Sequence, residues 1–362
     1  MNRPSLPAGP QRLPERSSTR SLELLDDRIA ADLLPERPAR GHKGTFGRLL
    51  VVAGSLDYAG AALLVCTAAG RAGAGLVRLA VPESLQPLFA AKVVEATTMA
   101  LPEDDVEEVE PEDAIARLLD DEHDAMVIGP GLRPGLASSA LILGLLAVPA
   151  STGPAPAVVD AEALRALAAV DDWWDSVGRE CVLTPHVGEF SRLRSSRGIE
   201  AENDGDLASD DDARAIAALD AAQRWRQVVV LKGARTVVAA PDGRAARAPF
   251  ENPALATGGT GDVLSGTIGA LLAQGLPPYD AARLGVYLHG TAGDVLRERI
   301  GDAGLLASDL PLEIAFVRRR LAMLARQRSG LPRLGFGARA DGPADPGSAT
   351  GPGSTSDPTD GR

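Results

Sequence analysis

Lysine is scarce in this 362-residue chain: Lys43, Lys92 and Lys232 are the only three, although Lys and Arg together number 37. Positive charge does not predominate either, since the formal net charge is −12. A balance this acidic excludes general affinity for nucleic acid or an anionic membrane. Any site for a polyanion must use local devices: helix ends, a metal ion, one or two cations. The arginine bias, with abundant Ala, Gly and Pro, fits a GC-rich genome. There are two cysteines, Cys66 and Cys181, with no CxxC spacing, so neither a disulfide framework nor a zinc site is expected. Cys66 lies in an apolar helical run and reads as a core residue. No HExxH pair is present, and His123 and His289 stand in contexts unrelated to His186. No apolar run reaches the ~18 residues of a membrane span. The N-terminus lacks a signal peptide's apolar core, so the expected compartment is the cytoplasm.

What the chain does have is ordinary for a globular protein: 45% hydrophobic and 24% charged residues. Its length suffices for one large α/β domain or two smaller ones. Residues 1–20 are rich in Pro, Arg and Ser without periodicity and are expected to be disordered. The same is expected of the Gly/Pro/Ser/Asp-rich tail, residues 332–362. One folded domain over residues 21–331 remains.

Within it, short apolar runs alternate with helical patterns. Strands are expected at 48–53, 76–81, 125–128, 157–159, 181–183, 227–231 and 236–239, and the first five are each followed by a turn and a helix. The predicted fold class is α/β, with a mostly parallel central sheet covered by helices on both faces. The last two strands read as a hairpin that continues to another short strand. Only helices follow, at 260–274, 279–297 and 308–326. In open α/β sheets ligands bind beyond the carboxyl ends of the strands, so the loops there are expected to carry the chemistry.

The most informative of these segments is Thr257-Gly258-Gly259-Thr260-Gly261-Asp262, which opens the helix at 260–274. A helix start leaves backbone N–H groups unpaired and partly positive, and glycines let a phosphate approach them. Gly259, Thr260 and Gly261 are therefore a candidate anion hole. Asp262 would repel that anion and makes better sense as a general base acting on a hydroxyl held beside it. A plain turn with an Asp helix cap would use the same residues.

Four other segments end strands or enter them. His42-Lys43-Gly44-Thr45-Phe46-Gly47 either contacts phosphates or forms a tight turn entering the sheet. Gly129-Pro130-Gly131 is a rigid loop whose backbone can lie against a ligand or simply turn the chain. In Thr184-Pro185-His186-Val187-Gly188-Glu189, His186 can hydrogen-bond a ligand. Glu189 can reach a metal through water or close a capping box. Lys232-Gly233-Ala234-Arg235-Thr236 places two cations on one loop, either as a nucleotide phosphate site or as a solvated hairpin tip. The small residues from Gly60 to Ala62 allow close helix packing by default.

Taken in order, HKGTFG, VVAGS, GAALL, GAGLVRLAVPES, VIGPGL, VVDAEAL, LTPHVGEFSRL, VLKGART and NPALATGGTGDVLSG resemble the ribokinase superfamily. Within it they resemble the ADP-dependent NAD(P)H-hydrate dehydratases, over roughly residues 40–326. The resemblance implies a ribokinase-like three-layer sandwich and dehydration of the S form of NADHX or NADPHX, with ADP converted to AMP and phosphate. It implies Asp262 as the catalytic base; Ala61, Gly131, His186 and Asp262 against the hydrate; and Lys232, Gly233, Ala234, Arg235, Thr236 and Gly261 against the adenine nucleotide. Mg²⁺ is expected on the phosphates, with Glu189 reaching it through water. Family members commonly form tetramers, so a homotetramer is expected. The epimerase domain often fused upstream is not expected within the few residues before Arg40, so cooperation with a separate epimerase is implied.

Two other readings use the same residues. A superfamily kinase acting on a thiazole or pyrimidine alcohol would employ Asp262 identically but release a stable phosphate ester. A nucleotide sensor would have no need of a base beside the phosphate.

Overall fold

The computed structural model describes residues 22–105, 108–195 and 204–328. The segments expected to be disordered, 1–20 and 332–362, lie outside the described residues, as does the proposed end of the domain at 331. Glu23–Leu24 (β1) and Asp27–Asp32 (α1) come first, then Arg48–Val52 (β2), Ala59–Ala72 (α2), Leu76–Pro82 (β3), Gln86–Ala90 (α3) and Thr97–Leu101 (β4). A small hairpin, Glu103–Asp105 (β5) and Glu108–Val109 (β6), leads through Pro111–Asp120 (α4) to Ala125–Ile128 (β7) and Leu136–Leu146 (α5). Next are Ala157–Val159 (β8), Glu162–Ala168 (α6), Cys181–Leu183 (β9), Val187–Arg194 (α7), Asp204–Ser209 (α8) and Asp211–Trp225 (α9). Val228–Leu231 (β10), Val237–Ala239 (β11) and Ala245–Arg247 (β12) precede the helices Thr260–Ala273 (α10), Pro278–Ile300 (α11) and Leu310–Arg328 (α12).

Ten strands form one sheet in the order β1-β12-β11-β10-β9-β8-β7-β2-β3-β4. From β10 to β4 every pairing is parallel; β11 is antiparallel to both β10 and β12. Strands β7 to β10 are buried along their whole length, which is why they read as continuous apolar runs rather than alternating ones. One core lies between the sheet and α1, α2, α10, α11 and α12; a second lies between its other face and α4 to α7 with α9. The result is the expected three-layer α/β/α sandwich.

The chain runs outward from β2 to β3 and β4, then returns to β7 on the other side of β2. Two loops diverge at that switch point, a crevice where open α/β sheets bind ligands. They are tied together where the Gly54 N–H donates to the Pro130 carbonyl at 2.9 Å.

The small residues of α2 serve packing. A Cβ on Gly266 of α10 would lie 2.3 Å from the Val65 carbonyl oxygen of α2, so the two helices touch backbone to backbone. The HKGTFG segment forms a 3-10 turn, Lys43–Phe46, entering β2. Gly47 after it has φ +83°, and a Cβ there would lie 1.9 Å from the Ala273 carbonyl at the end of α10. The segment therefore sits at the amino end of β2, away from the carboxyl-end loops.

Four strands departed from expectation: β1, β4, β5 and β6 were not read from the sequence, nor were α1, α4, α8 and α9. Most are short or edge elements with exposed residues, whose apolar pattern is too weak to separate from loop.

Candidate active site

Asp262 stands in the first turn of α10, whose N-cap, Gly259, has φ +92° and no capping side chain. Only glycine suits that position: a Cβ would also lie 2.6 Å from Leu64 Cδ1 on α2. With no side-chain cap, this helix start keeps the Gly261 and Asp262 N–H groups available for an anion, while the Thr260 N–H donates to the Thr257 carbonyl at 3.3 Å. The Thr260 hydroxyl does not share that role, since it donates to the carbonyls of Leu255 (2.8 Å) and Thr257 (2.9 Å). The Thr260 carbonyl in turn contacts His289 Nε2 of α11 at 3.0 Å, and burial holds that imidazole down at about 4, hence neutral. The turn is thus fixed from both sides before any ligand arrives.

Asp160, directly after β8, is the organising residue that sequence reasoning passed over. It is 2% exposed. Its Oδ1 accepts from Lys232 Nζ at 3.0 Å and its Oδ2 from Ser265 Oγ of α10 at 2.6 Å. Lys232 Nζ also lies 3.7 Å from Glu189 Oε2. Burial opposes the charge of Lys232, but Asp160, Glu189 and Asp262 outweigh it and hold the ammonium above its ordinary pKa. The Asp262 carboxyl is pushed up to about 6, first by burial and then by the Asp160 charge, against the lowering pull of Lys232. An aspartate poised near neutrality at an uncapped helix start has the protonation properties that a general base needs. The clue to Asp160 was its place: an acidic residue at the carboxyl end of a buried strand.

His186 and Glu189 close a capping box at the start of α7. His186 Nδ1 accepts from the N–H groups of Gly188 (3.1 Å) and Glu189 (3.3 Å), and Glu189 Oε2 accepts from the His186 N–H at 2.9 Å. A bridge between His186 and Lys232 extends the β9–β10 pairing past the strand ends and sets the two side by side. Among the described residues no group of three or more His, Cys, Asp or Glu is arranged to hold a metal. Mg²⁺ is commonly held by one or two carboxylates, waters and phosphate oxygens, and Glu189 Oε1, which hydrogen-bonds to none of the described residues, suits that outer role.

Ala61 and Gly131 meet at the switch point: Gly131 has φ +66°, and a Cβ on it would lie 2.8 Å from Ala61 Cβ. The loop carrying Gly131 also packs on the backbone of Asp160, whose carbonyl lies 1.9 Å from where a Gly129 Cβ would be.

Lys232, Gly233, Ala234, Thr236 and Gly261 line one cavity of about 550 Å³, with Phe250 among its apolar walls. Arg235 is not among the lining residues; it ion-pairs with Glu251 and lies 3.6 Å from Asp211. Glu251, itself a lining residue, pairs with that charge, so of the two cations only Lys232 lines the cavity. The loop is braced from behind by Arg214 of α9, 2% exposed, which donates to the Ala234 and Leu207 carbonyls and to Asp211. Arg214→Gln is expected to cost about 1–3 kcal/mol of unfolding free energy, because it leaves buried acceptors unpaired. Urea denaturation reads this directly, and an unchanged midpoint would remove Arg214 as the loop's support.

The family model described as NAD(P)H-hydrate dehydratase matches residues 49–315. The chain belongs to the NAD(P)H-hydrate dehydratase family. It is 36% identical over 289 residues to the ADP-dependent (S)-NAD(P)H-hydrate dehydratase of Neisseria meningitidis, covering 79% of this chain and 89% of that protein. It is 43% identical over 290 residues to the bifunctional NAD(P)H-hydrate repair enzyme of Moorella thermoacetica, 80% of this chain but 52% of that one. The chain thus spans about half the length of the bifunctional relatives it matches. Among solved structures, the ADP/ATP-dependent NAD(P)H-hydrate dehydratase of Bacillus subtilis, co-crystallized with ATP/Mg²⁺, superposes with a TM-score of 0.69 at 32% identity, covering 84% of this chain and 100% of that one. A ribokinase-like superfamily protein of Enterococcus faecalis shares the fold at a TM-score of 0.65 and 22% identity, with 86% and 98% covered. Within this NAD(P)H-hydrate dehydratase family member, the segments on which the resemblance rested fall on both sides of the sheet's switch point, and no helix of the described residues is long and apolar enough to cross a membrane.

Proposed function

We propose that this chain dehydrates the S form of NADHX and NADPHX at the expense of ADP, with Asp262 as the base. The observation that carries the reading is a half-buried carboxylate, pushed up to about 6, in the first turn of an uncapped helix beside the cavity lined by Lys232 and Gly261. Asp262 takes the proton from the C6 hydroxyl of the hydrate, and that oxygen attacks the β-phosphorus of ADP. The P–O bond to the α-phosphate breaks and AMP leaves. The start of α10 and Lys232 hold the charge that develops on the transferring oxygens. Phosphate then departs from C6 as a proton leaves C5, restoring the ring double bond. Ala61, Gly131 and His186 border the hydrate, and the Lys232–Thr236 loop with Gly261 borders the nucleotide. Mg²⁺, when bound, offsets phosphate charge that one lysine does not, with Glu189 reaching it through water.

The deciding experiment incubates the protein with NADHX and either ADP or ATP. Return of NADH absorbance supports the dehydratase, whereas a stable phosphate ester of an added thiazole or pyrimidine alcohol supports the kinase reading. Because the base works only when deprotonated, log kcat/KM is expected to fall with unit slope below about pH 6, the value to which Asp262 is raised. A profile flat down to pH 4.5 would remove Asp262 as the titrating group. The same reading includes a homotetramer, testable by sedimentation, and cooperation with an NAD(P)HX epimerase that supplies the S form.

A further inference from the structure

A cleft of about 1040 Å³ opens on the face of the molecule formed by α1, the end of α2 and α12. Six arginines line it: Arg37, Arg71, Arg318, Arg319, Arg326 and Arg328. Asp32 and Glu36 are the carboxylates among its lining residues, and Asp32 is held by Arg328 at 2.7 Å. In a chain of net charge −12, such a concentration of one sign in a concave surface calls for a partner of the other sign.

The floor of the cleft is built rather than merely decorated. Arg37 Nη1 and Arg318 Nη1 converge on Gly73: a Cβ there would lie 2.8 Å from one and 2.9 Å from the other. Neither guanidinium meets a carboxylate among the described residues. Arg37 donates to the Gly73 carbonyl at 2.7 Å and lies 3.9 Å over the Phe46 ring. Arg318 donates to the Ala72 carbonyl and to Gln274 Oε1 at 2.8 Å. Burial and the neighbouring Arg37 cation push Arg318 down to about 10. Two like charges are thus fixed side by side, with Arg71 and Arg319 exposed at the rim. Leu34, Pro35 and Ala315 give the walls an apolar part. The end of α10 lies here while its start holds Asp262, so about 20 Å of helix separates the cleft from the candidate active site.

We propose that this cleft is a second anion site, taking a di- or triphosphate group carried by a nucleotide or free in solution. Guanidinium forks match phosphate oxygens two at a time, and apolar walls suit an attached base. The cavity is large enough for a whole nucleotide.

Calorimetric titration of the full chain with inorganic tripolyphosphate and with ADP tests this. Wild-type protein is expected to bind tripolyphosphate, and to bind ADP at two sites. The double variant Arg71→Glu/Arg319→Glu changes exposed side chains without ion pairs among the described residues, so folding is expected to persist. It should weaken tripolyphosphate at least tenfold and remove one ADP site. Lys232→Ala should leave the tripolyphosphate event unchanged. A second ADP event tighter than tripolyphosphate identifies a nucleotide as the occupant; an equal or weaker one identifies the free polyphosphate. No tripolyphosphate binding, binding unaltered by the double variant, or binding lost only with Lys232→Ala would overturn the proposal. Charge-neutral Arg71→Gln/Arg319→Gln repeats the test should the reversal unfold the chain.

Discussion

Asp262→Asn is expected to lower the rate of NADHX dehydration by about 10²–10⁴-fold, the range general-base catalysis typically contributes. The substitution keeps the side chain's size in the first turn of α10 and removes only its ability to accept a proton. Nucleotide binding should be preserved or slightly strengthened, since the change removes a negative charge beside the phosphates. The fold should be unaffected as well: no hydrogen bond of the Asp262 carboxylate holds the turn, which is fixed instead by Thr260 and His289. Burial and Asp160 already disfavour the ionised form, so the uncharged amide is no worse accommodated. A variant retaining more than a tenth of the wild-type rate, with ADP affinity intact by calorimetry, would end the assignment of Asp262 as base.

Lys232→Ala is expected to weaken ADP binding by ~1.5–3 kcal/mol, the scale of a charge-assisted hydrogen bond. The structure adds a reason beyond the lost contact. Lys232 Nζ lies between Asp160 at 3.0 Å and Glu189 at 3.7 Å and lowers the pKa of Asp262. Without it these carboxylates face the incoming phosphates with no cation among them. The same loss moves the acid limb of the pH profile upward, because the group that held Asp262 down is gone. Affinity for the hydrate should change little. Calorimetry with unaltered ADP affinity would return the loop to a solvated hairpin tip, and an unmoved acid limb would separate Lys232 from Asp262.

Much of this arrangement was legible before any coordinates. The strands at 125–128, 157–159 and 181–183 and the helix at 136–146 fall where the apolar pattern placed them. Buried parallel strands, and a helix as apolar as this one, are written as apolar runs between turn residues, and such runs are hard to mistake. The edge strand of the sheet and the small hairpin were missed for the opposite reason. Thr97–Leu101 has only its last residue buried, and Glu103–Asp105 is acidic and largely exposed.

The site was legible as a set of loops but not as a network. Local order along the chain identified the glycine-rich helix start, the capping pair at 186 and 189, and the cationic loop at 232–236. It did not indicate that Lys232 reaches Asp160 and Glu189 while Arg235 is taken up by Glu251 and Asp211. Nor did it indicate that Asp160, 105 residues before Ser265, would join β8 to α10.

By itself the sequence determined the α/β class, the parallel sheet, the family and the glycine turn at Asp262, because these depend on periodicity and on residue types a few positions apart. Only the tertiary structure decided the charge state of the site and the grouping of arginines at the far end of α2 and α10. Burial and the approach of charges distant in sequence set both, and those distances exist only once the sheet has brought its strand ends together.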